Sequence, residues 1–67
     1  MANPDKLQKY LSDSGKKKKF LAMQASISRP RLDSILKHPE TATVGQADSI
    51  CKELGIDELE KKEIFLP

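Results

Sequence analysis

The chain has 67 residues, with 12 Lys and Arg against 10 Asp and Glu, a formal net charge of +2, one cysteine and three aromatic side chains. This length predicts one small domain over residues 1–67, with a net stability of about 3–5 kcal/mol, and we expect no second domain. One cysteine excludes an internal disulfide, one histidine excludes a Cys/His zinc cluster, and three rings are too few for a surface that stacks single-stranded bases.

The first predicted helix begins at Pro4, after the cap residue Asn3, and ends at Gly15. A proline in the first turn of a helix loses no hydrogen bond there, and a glycine commonly terminates a helix. Its apolar side chains have the i, i+3, i+4 spacing of an amphipathic helix and are Leu7, Tyr10 and Leu11. A second helix of barely two turns is predicted from about residue 17 to residue 24, with the apolar residues Phe20, Leu21, Ala22 and Ala25.

After a short break at residues 26–28, a third helix is predicted from its cap residue Ser28 to about Lys37. Pro39 ends this helix, because the residue before a proline is pushed away from helical geometry. The face predicted to point inward carries Leu32, Ile35 and Leu36.

A capping box of Thr43 and Gln46 predicts the start of a fourth helix, and Gly55 is its predicted C-terminal cap. The predicted apolar stripe of this helix consists of Val44, Ala47, Ile50, Cys51 and Leu54. We expect Cys51 to be a buried and unreactive thiol. A second capping box, Asp57 with Glu60, predicts a last short helix whose apolar residues are Leu59, Ile64, Phe65 and Leu66. The sequence therefore predicts an all-α fold, a compact bundle of about five short helices.

Residues 18–37 have the spacing of a helix-turn-helix. Two helices that cross steeply through a tight turn need a small residue where they approach and another small residue in the turn. Ala22 and Ser26 stand at those two positions. The apolar residues that would fill the corner between the helices are Ile27, Leu32 and Ile35.

With this helix-turn-helix, and with the flanking segments LQKYL and TVGQADSICKELGI, the chain resembles the lambda repressor-like helix-turn-helix family, of the Cro/repressor or Xre type. The resemblance covers residues 5–59. Ser26 stands where this family usually has glycine, and Pro30 lies near the start of the third helix. The resemblance implies that the third helix lies in the major groove of DNA while the second crosses the backbone.

The resemblance places the base-reading positions on Ser28, Arg29, Pro30 and Ser34. By its chemistry, Arg29 suits two hydrogen bonds to guanine, whereas Pro30 offers only apolar contact. Asp33 either pairs with a neighbouring arginine or accepts a hydrogen bond from cytosine. The candidate contacts to DNA phosphates are Lys16, Lys17, Lys18, Lys19, Arg31, Lys37 and His38.

The function implied by the resemblance is that of a sequence-specific double-stranded DNA-binding transcriptional regulator, a small phage or prophage repressor of Cro type in the bacterial cytoplasm. We expect no enzyme activity, cofactor, metal site or small-molecule substrate, because no nucleophile stands with a base and no metal ligands cluster. We also expect no membrane contact, because no apolar run reaches the ~18 residues of a membrane span. The alternative is a protein-interaction module on the same scaffold, a modulator or co-repressor of a larger phage repressor.

Two features bear on a protein partner. Phe65 and Leu66, near the C-terminus, either fold back on the core or contact a second copy or a larger repressor. Charge is also divided along the chain: residues 1–37 carry 9 Lys and Arg against 3 Asp and Glu, a formal charge of +6, whereas residues 38–67 carry 3 against 7, a charge of −4. We therefore expect a basic face on DNA and an acidic face turned toward solvent or a partner.

Overall fold

The structure is a computed structural model that describes residues 2–66. The helices in chain order are α1 (Pro4–Ser14), α2 (Lys18–Gln24), α3 (Arg29–Lys37), α4 (Val44–Leu54) and α5 (Glu58–Phe65), with one turn of 3-10 helix, Pro39–Thr41, between α3 and α4. No strand occurs within residues 2–66. The predicted all-α fold with five short helices is confirmed, while the 3-10 turn was not predicted.

The helix ends follow the capping residues of the sequence. The Asn3 side chain accepts a hydrogen bond from the Lys6 amide at 3.0 Å, at the start of α1. In the capping box of α4, Thr43 and Gln46 exchange two hydrogen bonds, each of 3.1 Å. Each bond satisfies a backbone N–H group that the helix itself leaves without a partner. These local interactions determine where α1 and α4 begin.

The second capping box forms only in part. Asp57 accepts a hydrogen bond from the Glu60 amide at 2.8 Å, as predicted. The Glu60 carboxylate forms an ion pair with Lys6 of α1 instead of returning to the cap residue. Glu63 of α5 also accepts a hydrogen bond from Lys6, at 2.7 Å. Both carboxylates raise the pKa of Lys6, and these contacts hold α1 against α5.

One cluster of buried apolar side chains draws residues from all five helices. Its completely or almost completely buried aliphatic members are Leu7, Leu21, Leu32, Ile35, Leu36, Ile50 and Ile64. Pro39 of the 3-10 turn and Ile56 between α4 and α5 are buried as well, although neither was predicted. Burial of apolar surface is the main stabilising contribution in a chain of this size.

Three of the apolar residues in the predicted helices are exposed, and the prediction that Val44 belongs to the apolar stripe of α4 is wrong. Val44 is 77% exposed and Leu59 72% exposed. Each lies in the first turn of its helix, α4 or α5, where the side chain projects past the edge of the core. Phe20 of α2 is 42% exposed, and the Lys16 ammonium lies 5.9 Å from the centre of its ring.

Cys51 is buried in α4, as predicted. The pKa of its thiol is raised to about 11, chiefly by burial; Lys61 lowers the pKa, and the carboxylates of Asp48 and Glu58 raise it. The thiolate is the reactive form of cysteine. The environment of Cys51 therefore suppresses its reactivity.

The turn between α2 and α3 carries backbone strain at Ser26. Its φ angle is +57°, and within residues 2–66 it is the one non-glycine residue with a positive φ. An L-residue pays about 1–2 kcal/mol in this left-handed conformation, whereas glycine pays almost nothing there. Ser26 is exposed, so a change at this position removes no packing.

We expect Ser26→Gly to stabilise the folded chain. The relief of strain, reduced by the greater backbone entropy of glycine in the unfolded state, leaves a net gain of about 0.5–1 kcal/mol. Urea denaturation followed by circular dichroism measures this gain. Ser26→Ala is the matched control and should give no gain, because alanine meets the same strain; equal stability of the Gly and Ala variants would show that the turn is unstrained.

Candidate nucleic-acid interface

Helices α2 and α3 form the predicted corner. The Ile27 amide donates a hydrogen bond to the carbonyl oxygen of Ala22 at 3.0 Å, and this bond closes the turn after α2. The Ser28 hydroxyl then accepts a hydrogen bond from the Arg31 amide at 3.2 Å and starts α3. Ala22 is buried at the corner, where a larger side chain would separate the two helices. The local geometry is that of a helix-turn-helix.

The four predicted base-reading residues are exposed, at the N-terminal cap of α3 and along this helix. They are Ser28, Arg29, Pro30 and Ser34. The helix is buried in the core through Leu32, Ile35 and Leu36. The exposed surface of α3 is therefore free to enter a groove of DNA, and its contact with bases stays a prediction.

A shallow groove of about 260 Å³ brings together predicted phosphate and base contacts from two helices. Lys18 at the start of α2 lines this groove with Arg29 and Lys37 of α3, and Gln8 of α1 lies beside them. The groove is thus lined by three cations from two helices, together with the apolar Leu36 of α3. Gln8 was not predicted, because a lone exposed glutamine in a helix carries no signal in the sequence.

Asp33 lies in the same groove and pairs with Arg29. The Arg29 Nε–H donates to the Asp33 carboxylate across 3.4 Å, one helical turn apart on α3. Of the two predicted alternatives for Asp33, the structure shows the pairing with a neighbouring arginine. The carboxylate is thereby accommodated on an otherwise basic face.

Arg31 is half-buried and makes two hydrogen bonds within the protein. Its Nη2 donates to the Thr41 carbonyl oxygen at 2.7 Å and to Gln46 Oε1 at 3.0 Å. The same Gln46 oxygen accepts the backbone N–H of Thr43. Arg31 therefore connects α3, the 3-10 turn and the capping box of α4, and a phosphate contact would be a second role for this residue.

The run of four lysines is divided among three environments. The Lys16 ammonium donates to the Glu53 carbonyl oxygen at 2.6 Å and lies 3.3 Å from the Glu53 carboxylate, so it points toward α4. Lys18 lines the groove described above, while Lys17 and Lys19 are exposed. Of the four lysines, Lys18 is therefore the one that the structure places beside the exposed side of α3.

Two further candidates lie at the end of α3. Lys37 is exposed in its last turn. His38 is the C-terminal cap, and its Nδ1 lies 3.7 Å from the carboxylate of Glu40. Their contacts with phosphate stay predictions.

Phe65 and Leu66, predicted either to fold back on the core or to contact a partner, differ in their burial. Phe65 is buried in the core, whereas Leu66 is 56% exposed. Leu66 borders a second groove, of about 320 Å³, with Val44 of α4 and with Glu58 and Lys62 of α5. Contact of Phe65 and Leu66 with a partner stays a prediction, and of these two residues Leu66 is the exposed one.

Over residues 2–66, no helix is long and apolar enough to cross a membrane. Within that range, no group of three or more His, Cys, Asp or Glu side chains is placed to hold a metal ion.

Comparison with known proteins supports the geometric assignment. A sequence model of the Cro/C1-type HTH DNA-binding domain matches residues 6–60. This match includes α2, the turn, α3 and the supporting helices α1 and α4. A search of curated proteins and a search of solved structures each gave no significant match. The chain therefore belongs to the family of Cro/C1-type helix-turn-helix DNA-binding domains.

Proposed function

We propose that the chain is a sequence-specific transcriptional regulator that lays α3 in the major groove of double-stranded DNA. The observation that carries this proposal is the groove in which Lys18, Arg29 and Lys37 meet beside the exposed side of α3. Arginine is the side chain best suited to read guanine, and lysines neutralise phosphates. The same groove would thus serve both kinds of contact.

The proposed mechanism is occupancy of DNA. Arg29 would donate to O6 and N7 of a guanine, Pro30 would make apolar contact, and Ser28 and Ser34 would reach neighbouring base edges. A small phage or prophage repressor of Cro type in the bacterial cytoplasm would block transcription in this way, without chemistry or a cofactor. Lys18 and Lys37 would set the register of α3 by binding the DNA backbone.

A titration of the full chain tests this function. Fluorescence anisotropy at physiological salt would compare a labelled duplex from the region upstream of the chain's own gene with a random duplex of equal length. We expect a Kd below about 10⁻⁷ M for the upstream duplex, against about 10⁻⁴–10⁻⁶ M for nonspecific binding. Weak, salt-sensitive binding to both duplexes would contradict the proposal.

Lys18→Ala is expected to weaken binding to every duplex by a similar factor. Loss of one phosphate contact should make the slope of log K against log salt shallower by about one. Titrations at several salt concentrations measure the slope. Lys52→Ala removes the same charge from an exposed position on α4 outside the groove, and it serves as the control. A slope unchanged in the Lys18 variant would remove Lys18 from the phosphate contacts.

The second candidate function is a protein-interaction module that binds a second copy or a larger repressor. The groove beside Leu66 favours it, because Val44 and Leu66 expose apolar surface there between charged side chains. Sedimentation of the chain alone at increasing concentration distinguishes the possibilities. A dimer lost in Leu66→Ser would support self-association at this groove, and a monomer at all concentrations would exclude it.

A further inference from the structure

Asp33 is a carboxylate on the side of α3 that the proposed function turns toward DNA. It would repel phosphates there, and its ion pair with Arg29 is half-exposed on both sides. Exposed pairs one helical turn apart contribute little to folding stability. Stability of the fold therefore does not account for a negative charge at this position.

The geometry of the pair suggests a role in reading DNA. A guanidinium has five N–H donors in a planar fork. Asp33 accepts from Nε of Arg29, so both terminal Nη groups stay available for the two acceptors of a guanine. Arginine loses much rotamer freedom when it is ordered at an interface, and a side chain held before binding loses less.

We infer that Asp33 is a positioning residue that orients the Arg29 guanidinium for guanine recognition, an inference that rests on the proposed function. Lys18 and Lys37 line the same groove, and their charges offset the repulsion between Asp33 and phosphates. The carboxylate strengthens binding to the preferred duplex through Arg29, while its charge weakens binding to random DNA.

This role has a signature that a structural role lacks. Removal of the Asp33 charge should lower the affinity for the preferred duplex and raise the affinity for random DNA at the same time. Loss of a residue that only stabilises the fold would lower both affinities. Opposite changes in the two affinities therefore identify a positioning residue.

The experiment first selects a preferred duplex from a randomised library with the full chain, then measures Kd for that duplex, for its variants at each base pair and for random duplex. Asp33→Asn should reduce the preference for guanine at the base pair assigned to Arg29 by about five- to tenfold and strengthen binding to random duplex by about twofold. Asp33→Glu should restore the preference, since glutamate also reaches one turn back. Asp13→Asn, which removes an exposed charge on α1, is the matched control and should leave the preference unchanged.

The Arg29→Ala variant separates the outcomes. If Asp33→Asn causes no further loss of base preference in the Arg29→Ala background, Asp33 acts through Arg29, as inferred. If Asp33→Asn leaves the guanine preference intact while Arg29→Ala abolishes it, the inference fails and the proposed function stands. If Asp33→Asn reduces base preference equally in the parent chain and in the Arg29→Ala variant, Asp33 contacts a base itself, and the inference is overturned. If selection yields no preferred duplex, the proposed function fails and the inference fails with it.

Discussion

Leu32→Ala is expected to unfold a large share of the chain at room temperature. Leu32 lies on α3 with 0% of its surface exposed, and truncation of such a leucine costs about 2–5 kcal/mol through lost burial and the cavity left behind. A domain of this size has about 3–5 kcal/mol of net stability to lose. Urea denaturation followed by circular dichroism measures the loss.

The chain offers a matched control in Leu59→Ala. Leu59 is 72% exposed on α5, so this variant should stay within about 0.5 kcal/mol of the parent. If the Leu32 variant is too unstable for a folded baseline, Ile35→Val at a position with 0% exposure should lose about 0.5–1.5 kcal/mol. Similar small losses at the buried and exposed sites would contradict the core described above.

Arg29→Ala is expected to cost about 1–3 kcal/mol of binding to the preferred duplex, a loss of roughly five- to 150-fold in affinity. The reason is the loss of two hydrogen bonds to one guanine, so the preference at that base pair should disappear. Random duplex should lose only the smaller contribution of one positive charge. Anisotropy titrations with both duplexes measure the two losses.

Lys52→Ala is the charge-matched control for Arg29→Ala. Lys52 is exposed on α4 and stands outside the predicted base-reading positions, so its removal should leave base preference intact. Equal losses of affinity for preferred and random DNA in the Arg29 variant would show that Arg29 binds phosphates rather than bases.

Local signals explain why so much of the fold was predictable from the sequence. Asn3, Ser28 and Thr43 each accept a backbone N–H three residues ahead, so their effect is complete within a single turn of helix. Gly15 and Gly55 both adopt a φ of +70° at helix ends, which glycine favours. Interactions of this kind depend on few residues and are visible in the chain order.

Features that depend on distant residues were not predictable. The apolar spacing that includes Val44 marks an amphipathic helix but does not reveal where the core ends, and Val44 is exposed. The charge of Arg31 indicated a phosphate contact. Its bonds to Thr41 and Gln46 depend on a 3-10 turn that the sequence pattern did not suggest.

The basic and acidic halves of the chain also form ion pairs with each other. Lys6 and Lys16 of the basic half pair with Glu60, Glu63 and Glu53 of the acidic half. Opposite charges in the two halves therefore help to hold α1 and the lysine run against α4 and α5. Lys18, Arg29 and Lys37 remain on the groove beside α3, where a basic surface suits DNA.

The surface of α3 that carries Arg29 is the surface that we propose binds duplex DNA. The most direct test of this proposal is a titration of the isotope-labelled full chain with the selected duplex, followed by amide chemical shifts in NMR spectra. We expect the largest changes at residues 28–38 and at Lys18, with α5 almost unaffected. Largest changes on α5 and around Leu66, or no change at equimolar duplex, would contradict the proposal.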